Sequence, residues 1–523
     1  MGCIVQYKLR IKNKIFPVNI EQRNNELLLT CPYYPDMATL LNEIKQSFNV
    51  KKWNPQTKTW HIHNNDRAQY NLRFLTGTLD DPFHNPNYPD RTLHIAGLWP
   101  HQREAINKFL HHKKLFIAHE MGLGKTRAIY VAAELAKIAS LLVICPTNVK
   151  YAWMQEYDKW HPNCPYPIFR HYQQVNLIED MDPVDMVVFD ESVFIKNPGA
   201  QRSRSCAQIA KIHRDNNSYI ACLCGSPAPK NPTDWHNQIE LLQPGYIREA
   251  SPAILTQRLA EVTFDNDYPE IGEWKNDEIE RFHQILQPIT SIAFRHEVFP
   301  DERKQYIEIK LSISDQTKKT IKLLEDTIPS GLMLLERLRE VSDGFLYDGK
   351  VTYYDSTPKD EATIELLREY AENGHNKFII YAAYQASIDK CEKLALEAGW
   401  HYIALDGRGW RCSLTPELKR QPKPQQLLNL FQKKDTVPIV FIGHPKSAGV
   451  GLTLPAPAIL YYSNTFNGLD RIQSEERTRQ SCIIYDFYHL PCDRHVIENL
   501  KNKRNLQGIS LGDVRKWLGK GSE

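Results

Sequence analysis

The stretch Phe116-Ile-Ala-His-Glu-Met-Gly-Leu-Gly-Lys-Thr-Arg127 decides how the rest of the chain is read. It is an apolar run, then a glycine-bearing turn, then a lysine and a threonine opening an amphipathic segment. Such a turn lets backbone N–H groups curl around an anion at a helix N-terminus. Lys125 would reach the outer phosphates of a nucleotide, and the Thr126 hydroxyl would hold Mg²⁺. Met121, Gly122, Leu123, Gly124, Lys125, Thr126 and Arg127 are therefore the expected nucleotide-binding residues. The eight-residue phosphate-loop pattern departs at its first position, where His119 replaces glycine. Support has to come from the segments around it.

Outward from the loop, strand-like runs alternate with helical stretches: Leu115–Ala118, Leu141–Cys145, Met186–Asp190 and Tyr219–Leu223. This alternation predicts a parallel sheet with helices on both faces. It returns at Lys377–Tyr381, Tyr402–Leu405, Pro438–Ile442, Ala458–Tyr462 and Cys482–Asp486. Between the two units, 246–345 reads as a charged helical insert, including Asp277–Leu286 and Ile321–Ser342. Residues 1–90 read as a small α+β module with a hairpin over Lys51–His61, closed by the proline- and asparagine-rich loop 80–90. The expected organisation is thus 1–90, a first α/β lobe 91–245, the insert 246–345, a second α/β lobe 346–505 and a tail 506–523.

Composition excludes several classes. The chain has 523 residues, 42% hydrophobic and 24% charged, with a net charge of +3, so a nucleic-acid partner would have to be met by a local groove. Eleven cysteines without a C-x-x-C pair imply reduced thiols in a cytosolic setting rather than a disulfide frame or a zinc site. No apolar run approaches the roughly 18 residues of a membrane span, and no export signal is visible.

Four further segments carry chemistry. Gln102, in Leu98-Trp-Pro-His-Gln102, offers an amide suited to adenine. Pro146-Thr147 ends a strand, and Thr147 with Lys150 on the following helix would meet a nucleic-acid phosphate. Met186-Val-Val-Phe-Asp-Glu-Ser-Val193 delivers two carboxylates at a strand's end, Asp190 to hold Mg²⁺ and Glu191 to polarise water. Cys222-Leu-Cys-Gly-Ser-Pro227 ends the next strand with a glycine and a hydroxyl, a turn suited to relaying nucleotide state.

In order and wording these motifs resemble the Swi/Snf-related branch of superfamily-two DNA translocases. Phe194-Ile-Lys-Asn197, Trp235-His-Asn-Gln-Ile-Glu-Leu-Leu-Gln-Pro-Gly245, Lys446-Ser-Ala-Gly-Val-Gly-Leu-Thr453 and Gln473-Ser-Glu-Glu-Arg477 match that branch, and the likeness runs over roughly 91–505. The resemblance implies two RecA-like lobes that clamp ATP and track along DNA. It also implies DNA-phosphate contacts at Ser447 and Thr453, a nucleotide contact at Gln473, and a trans-acting arginine at Arg477 or Arg479. Two departures stand out: Val193 replaces the usual histidine, and Gln480 replaces the usual second arginine. The segment Trp53-Asn-Pro-Gln-Thr-Lys-Thr-Trp60 is similar to the HARP-type module of annealing helicases, which implies DNA contacts from Lys52, Trp53 and Trp60. Alternatively, the two tryptophans fill a small core.

The resulting expectation is a DNA-stimulated ATPase acting on duplex or branched DNA, in fork remodelling or strand annealing. The alternatives are a translocase that displaces proteins or drives a separate nuclease, and an ATP-gated DNA-binding scaffold. Compactness without long tails points to a bacterial or phage host.

Overall fold

The structure is a computed structural model that describes residues 4–23, 25–79, 83, 88–147, 149–175, 182–228, 231–265, 268–301, 304–328, 331–354, 356–414, 423–433, 437–448, 452–494, 496–498 and 500. The expected tail 506–523 and positions 449–451 of the Ser447–Thr453 loop lie outside them.

The first lobe is a six-stranded, fully parallel sheet in the order Thr290–Ala293, Lys114–His119, Tyr219–Leu223, Met186–Asp190, Leu141–Cys145, Ile168–His171. Its central strands are unbroken apolar runs because both faces are covered. Successive side chains point to opposite faces, so Phe116, Leu142 and Ile144 enter one core while Leu115, Leu141 and Val143 enter another. The phosphate loop, the acidic pair and the Cys224–Pro227 turn all follow the carboxyl ends of adjacent strands, where ligands bind in open α/β sheets. The second lobe has seven strands, Lys304–Lys310, Cys482–Tyr488, Ala458–Tyr461, Lys377–Tyr381, Ile439–Gly443, His401–Asp406 and Gly409–Cys412, with only the last pair antiparallel. Two parallel-sheet lobes are the predicted fold class.

The insert expected at 246–345 is corrected. Thr290–Ala293 is the edge strand of the first sheet, pairing with Phe116–His119, and Lys304–Lys310 is the edge strand of the second. A two-stranded hairpin, Ala260–Asp265 with Tyr268–Trp274, also interrupts the helices. Each edge strand is short or half-polar, and such a run leaves no clear periodicity to read. Ile321–Ser342, read as one helical stretch, is two helices, Asp315–Thr327 and Gly331–Ser342.

The N-terminal module is a five-stranded antiparallel sheet, in the order Ile4–Ile11, Lys14–Arg23, Glu26–Thr30, Thr59–His63, Val50–Asn54, packed by the helices Met37–Ser47 and Asp66–Thr76. It is clasped to the first lobe. Arg67, 4% exposed, pairs with Glu240 at 2.6 Å and donates to the Arg248 carbonyl at 3.1 Å. Tyr70 and Phe83 belong to the first lobe's core. Among the described residues the ten cysteines form no disulfide.

Candidate functional site

A cavity of about 420 Å³ opens between the lobes. Its walls include Gln102, Met121, Gly122, Gly124, Lys125, Thr126, Arg127, Asp190 and Glu191 from the first lobe and Thr453, Arg477 and Arg479 from the second. Sequence-predicted residues more than 350 positions apart thus share one wall, as in the 2.9 Å contact from Arg477 Nη2 to the Met121 sulfur.

The loop takes its shape from two glycines in the left-handed region, Gly122 at φ 80° and Gly124 at φ 70°. A Cβ at Gly122 would meet the Arg295 guanidinium and one at Gly124 the Gln102 amide, each the movable end of a long side chain, so it is the left-handed backbone that favours glycine at both positions. Gly124 opens the helix Lys125–Ala136 without a side-chain cap, which leaves the first-turn N–H groups aimed at the cavity. Lys125 Nζ donates to the carbonyls of His119 at 2.9 Å and Glu120 at 3.5 Å, folded against its own loop.

Gln102 does not hold its amide out for a base. Its Nε2 donates to the Gly124 carbonyl at 3.1 Å, and its Oε1 accepts from the Trp99 N–H at 3.0 Å. The side chain braces the loop. Leu123 is fully buried and contributes its carbonyl to His101 and Gln102. Arg127 spans the carbonyls of Gly97 and Ala96 and lies 3.6 Å from the Trp160 ring centroid, forming a cationic aromatic shelf at one end of the cavity.

The acidic pair is buried, Asp190 6% and Glu191 7% exposed. Burial pushes both carboxyls above the usual range; the neighbouring Asp190 raises Glu191 further, while Lys125 opposes both shifts. Asp190 Oδ2 accepts from the Trp153 indole at 2.7 Å, and Oδ1 from the Glu191 N–H at 2.9 Å. The Thr126 hydroxyl and Asp190 carboxylate on the same wall are hard oxygen donors, which fits Mg²⁺.

Both candidate arginines reach the loop. Arg477 donates to the carbonyls of Gln473 at 2.9 Å and Leu452 at 3.3 Å as well as to Met121, and burial lowers its pKa to about 10 against the opposing pull of Glu191. Arg479 is exposed at the cleft, and its Cδ and Nε lie 3.4 Å from where a Gly122 Cβ would stand. Two expected contacts move. Gln473 is buried behind the wall and offers a carbonyl to Arg477, whereas Thr453, expected on DNA, lines the nucleotide cavity. The reason is a pair of bonds that pin this turn to the arginine segment, Leu454 N–H to the Arg477 carbonyl at 2.9 Å and the Thr478 hydroxyl to the Leu454 carbonyl at 3.1 Å.

The remaining expected DNA contacts are outside the cavity. Thr147 is exposed, while Lys150 and Ser447 are half-buried. In the N-terminal hairpin Trp53 and Trp60 face each other across the strands with centroids 4.7 Å apart. Trp60, 8% exposed, is core, whereas Trp53, 40% exposed, sits at the rim beside exposed Lys52.

Sequence reasoning missed Trp153, which grips Asp190, and Arg295. The latter's N–H donates to the Glu120 carboxylate at 2.6 Å and its guanidinium to the Met121 carbonyl at 3.2 Å. Its position just after the unrecognised edge strand hid it.

No family model matches the chain. Over 416 residues it is 24% identical to the SWI/SNF-related matrix-associated actin-dependent regulator of chromatin subfamily A-like protein 1 of Xenopus laevis, covering 74% of this chain and 40% of that protein. Over 490 residues it is 23% identical to the human DNA annealing helicase and endonuclease ZRANB3, covering 82% and 42%. The chain is similar in sequence to these Swi/Snf-related and annealing-helicase proteins over about three quarters or more of its length. It spans about two fifths of the length of these relatives. Among solved structures it is similar to the Sulfolobus solfataricus SWI2/SNF2 ATPase core in complex with dsDNA, at 18% identity and a TM-score of 0.36, covering 81% of this chain and 95% of that one. At that score nothing further follows from the likeness.

Proposed function

We propose that this chain is a DNA-stimulated ATPase that translocates on duplex or branched DNA, with fork remodelling or strand annealing as its output. The observation that carries the reading is the convergence, at one inter-lobe cavity, of a phosphate loop, a buried acid pair and two arginines from the other lobe. The names of the relatives, one of them a DNA annealing helicase, support the choice of output.

In this reading Lys125 exchanges its loop carbonyls for the outer phosphates, and the helix N-terminus at Gly124 binds them through backbone N–H groups. Thr126 and Asp190 would hold Mg²⁺, which neutralises phosphate charge when bound. Glu191 orients the attacking water. Arg477, with Arg479 beside it, stabilises the charge that develops on the transferring phosphoryl group, so hydrolysis requires the lobes to be closed. DNA phosphates would be met by Thr147, Lys150 and Ser447, and unpaired bases by Trp53 beside Lys52. A reducing cell interior, bacterial or phage-infected, is the setting of this reading, and the cysteines among the described residues, which form no disulfide, are compatible with it.

Phosphate release measured without DNA and with single-stranded, duplex and forked DNA tests the reading. Stimulation, greatest on forks, is expected. Turnover indifferent to every DNA would refute it.

A further inference from the structure

The acidic turn is held from behind by a side chain outside the motifs' assigned chemistry. Gln238 lies fully buried on the helix Trp235–Leu242. Its Oε1 accepts the Ser192 hydroxyl at 2.8 Å, and its Nε2 donates to the carbonyls of Pro227 at 2.7 Å and Asp234 at 2.8 Å. Ser192 directly follows Glu191, and Pro227 closes the turn after the neighbouring strand. That turn touches both sides of the chemistry: the Cys224 thiol lies 3.8 Å from Glu191 Oε2, and a Cβ at Gly225 would stand 3.4 Å from the Met121 nitrogen of the phosphate loop. One amide therefore ties together the two segments that flank the water-orienting carboxylate.

Two features show that this tie matters. Glu191 sits at φ 54°, a left-handed conformation that a glutamate keeps only where its surroundings hold it. Val193, two residues after Glu191, is buried and brings no polar group to the turn. The only side-chain hydrogen bonds described from Ser192 and Gln238 are those of this bridge, and all of Gln238's amide hydrogens are used in it.

Resting on the ATPase reading above, we propose that Gln238 is a positioning residue, whose bridge through Ser192 and Pro227 sets Glu191 and the Cys224–Pro227 turn in one geometry for hydrolysis.

The test uses the full chain and the paired variant Ser192→Ala/Gln238→Leu, which removes both partners and so leaves neither side chain orphaned in the core. DNA-stimulated kcat should fall about tenfold or more, while the KM for ATP stays within about twofold and the melting temperature is kept. Ser192→Ala alone, which retains Gln238's two carbonyl bonds, should show the same direction at smaller size and serves if the pair folds poorly. Retention of kcat in either folded variant overturns the proposal. So does a loss of kcat matched by an equal rise in KM, the mark of general loosening. If the unaltered chain shows no DNA-stimulated hydrolysis, the ATPase reading itself falls, a separate result from any change between variant and parent.

Discussion

Replacing Trp153 with phenylalanine should move the pH dependence of hydrolysis, because the indole is the one side-chain donor described on the Asp190 carboxylate, at 2.7 Å in a buried setting. A hydrogen bond to a buried charged group contributes about 1.5–3 kcal/mol, and one pKa unit corresponds to about 1.4 kcal/mol. The ionised form of Asp190 would then lose about one to two units of preference. Burial already holds this carboxyl above its ordinary range, so the variant's acid would keep its proton to higher pH still. Only the carboxylate can hold Mg²⁺, so activity rises with pH through this pKa. The acid limb of DNA-stimulated phosphate release should therefore shift upward by about one to two pH units. Stability has the opposite sign. A carboxyl raised in the folded state costs stability as pH climbs above its unfolded value, so the variant's melting temperature should fall further below the parent's at neutral pH than in acid. Phenylalanine keeps a ring against Tyr130, whose centroid is 5.3 Å away, which limits the packing loss. An acid limb that stays put in a folded variant would refute the reasoning.

Lys125→Ala should abolish turnover by weakening nucleotide grip, whereas Glu191→Gln should bind ATP and not turn it over; nucleotide binding and phosphate release measured side by side separate the two. Arg477→Ala should lower DNA-stimulated kcat by about 10³-fold, the scale of a trans-acting arginine, and full turnover in that variant with loss in Arg479→Ala would reverse the assignment. Trp60→Ala should destabilise the chain by about 3–5 kcal/mol in urea melts. Trp53→Ala should leave stability nearly unchanged and weaken fork binding by a factor of about 5 to 150 in a titration. Burial pulls the Lys114 ammonium down to about 8 from 10.5, so its contribution to stability is most favourable above 10.5 and is lost as pH falls toward 8. Lys114→Met should accordingly raise the melting temperature at pH 7 and lose that gain in strongly alkaline buffer.

The central strands were legible because a sheet covered on both faces demands continuous apolar runs, as in Leu141-Leu-Val-Ile-Cys145. Asp190 and Glu191 were legible because they end such a run, and Lys125 because it opens the helix that follows one. Thr290-Ser-Ile-Ala293 was not, since a four-residue edge strand with two hydroxyls carries no period, and Arg295, which depends on that strand for its place, was lost with it. Nor could spacing disclose that Gln102 braces its loop, that Thr453 lines the cavity between the lobes, or that only one of the two hairpin tryptophans is core. These outcomes depend on partners far away in the chain.

The clasp of Arg67 on Glu240, with Tyr70 and Phe83 sunk in the first lobe, bears on how the molecule can be cut. A protease or a gene truncation that separates 1–90 from the remainder would strip two aromatic rings from the first lobe and leave the half-buried Glu240 carboxylate without its arginine. The fragment from residue 90 onward would present that wound to its neighbours and self-associate. Dissection of this protein therefore belongs to surface substitutions on the hairpin, and any shuffling of the module between relatives would have to carry the docking face of the Trp235–Leu242 helix along with it.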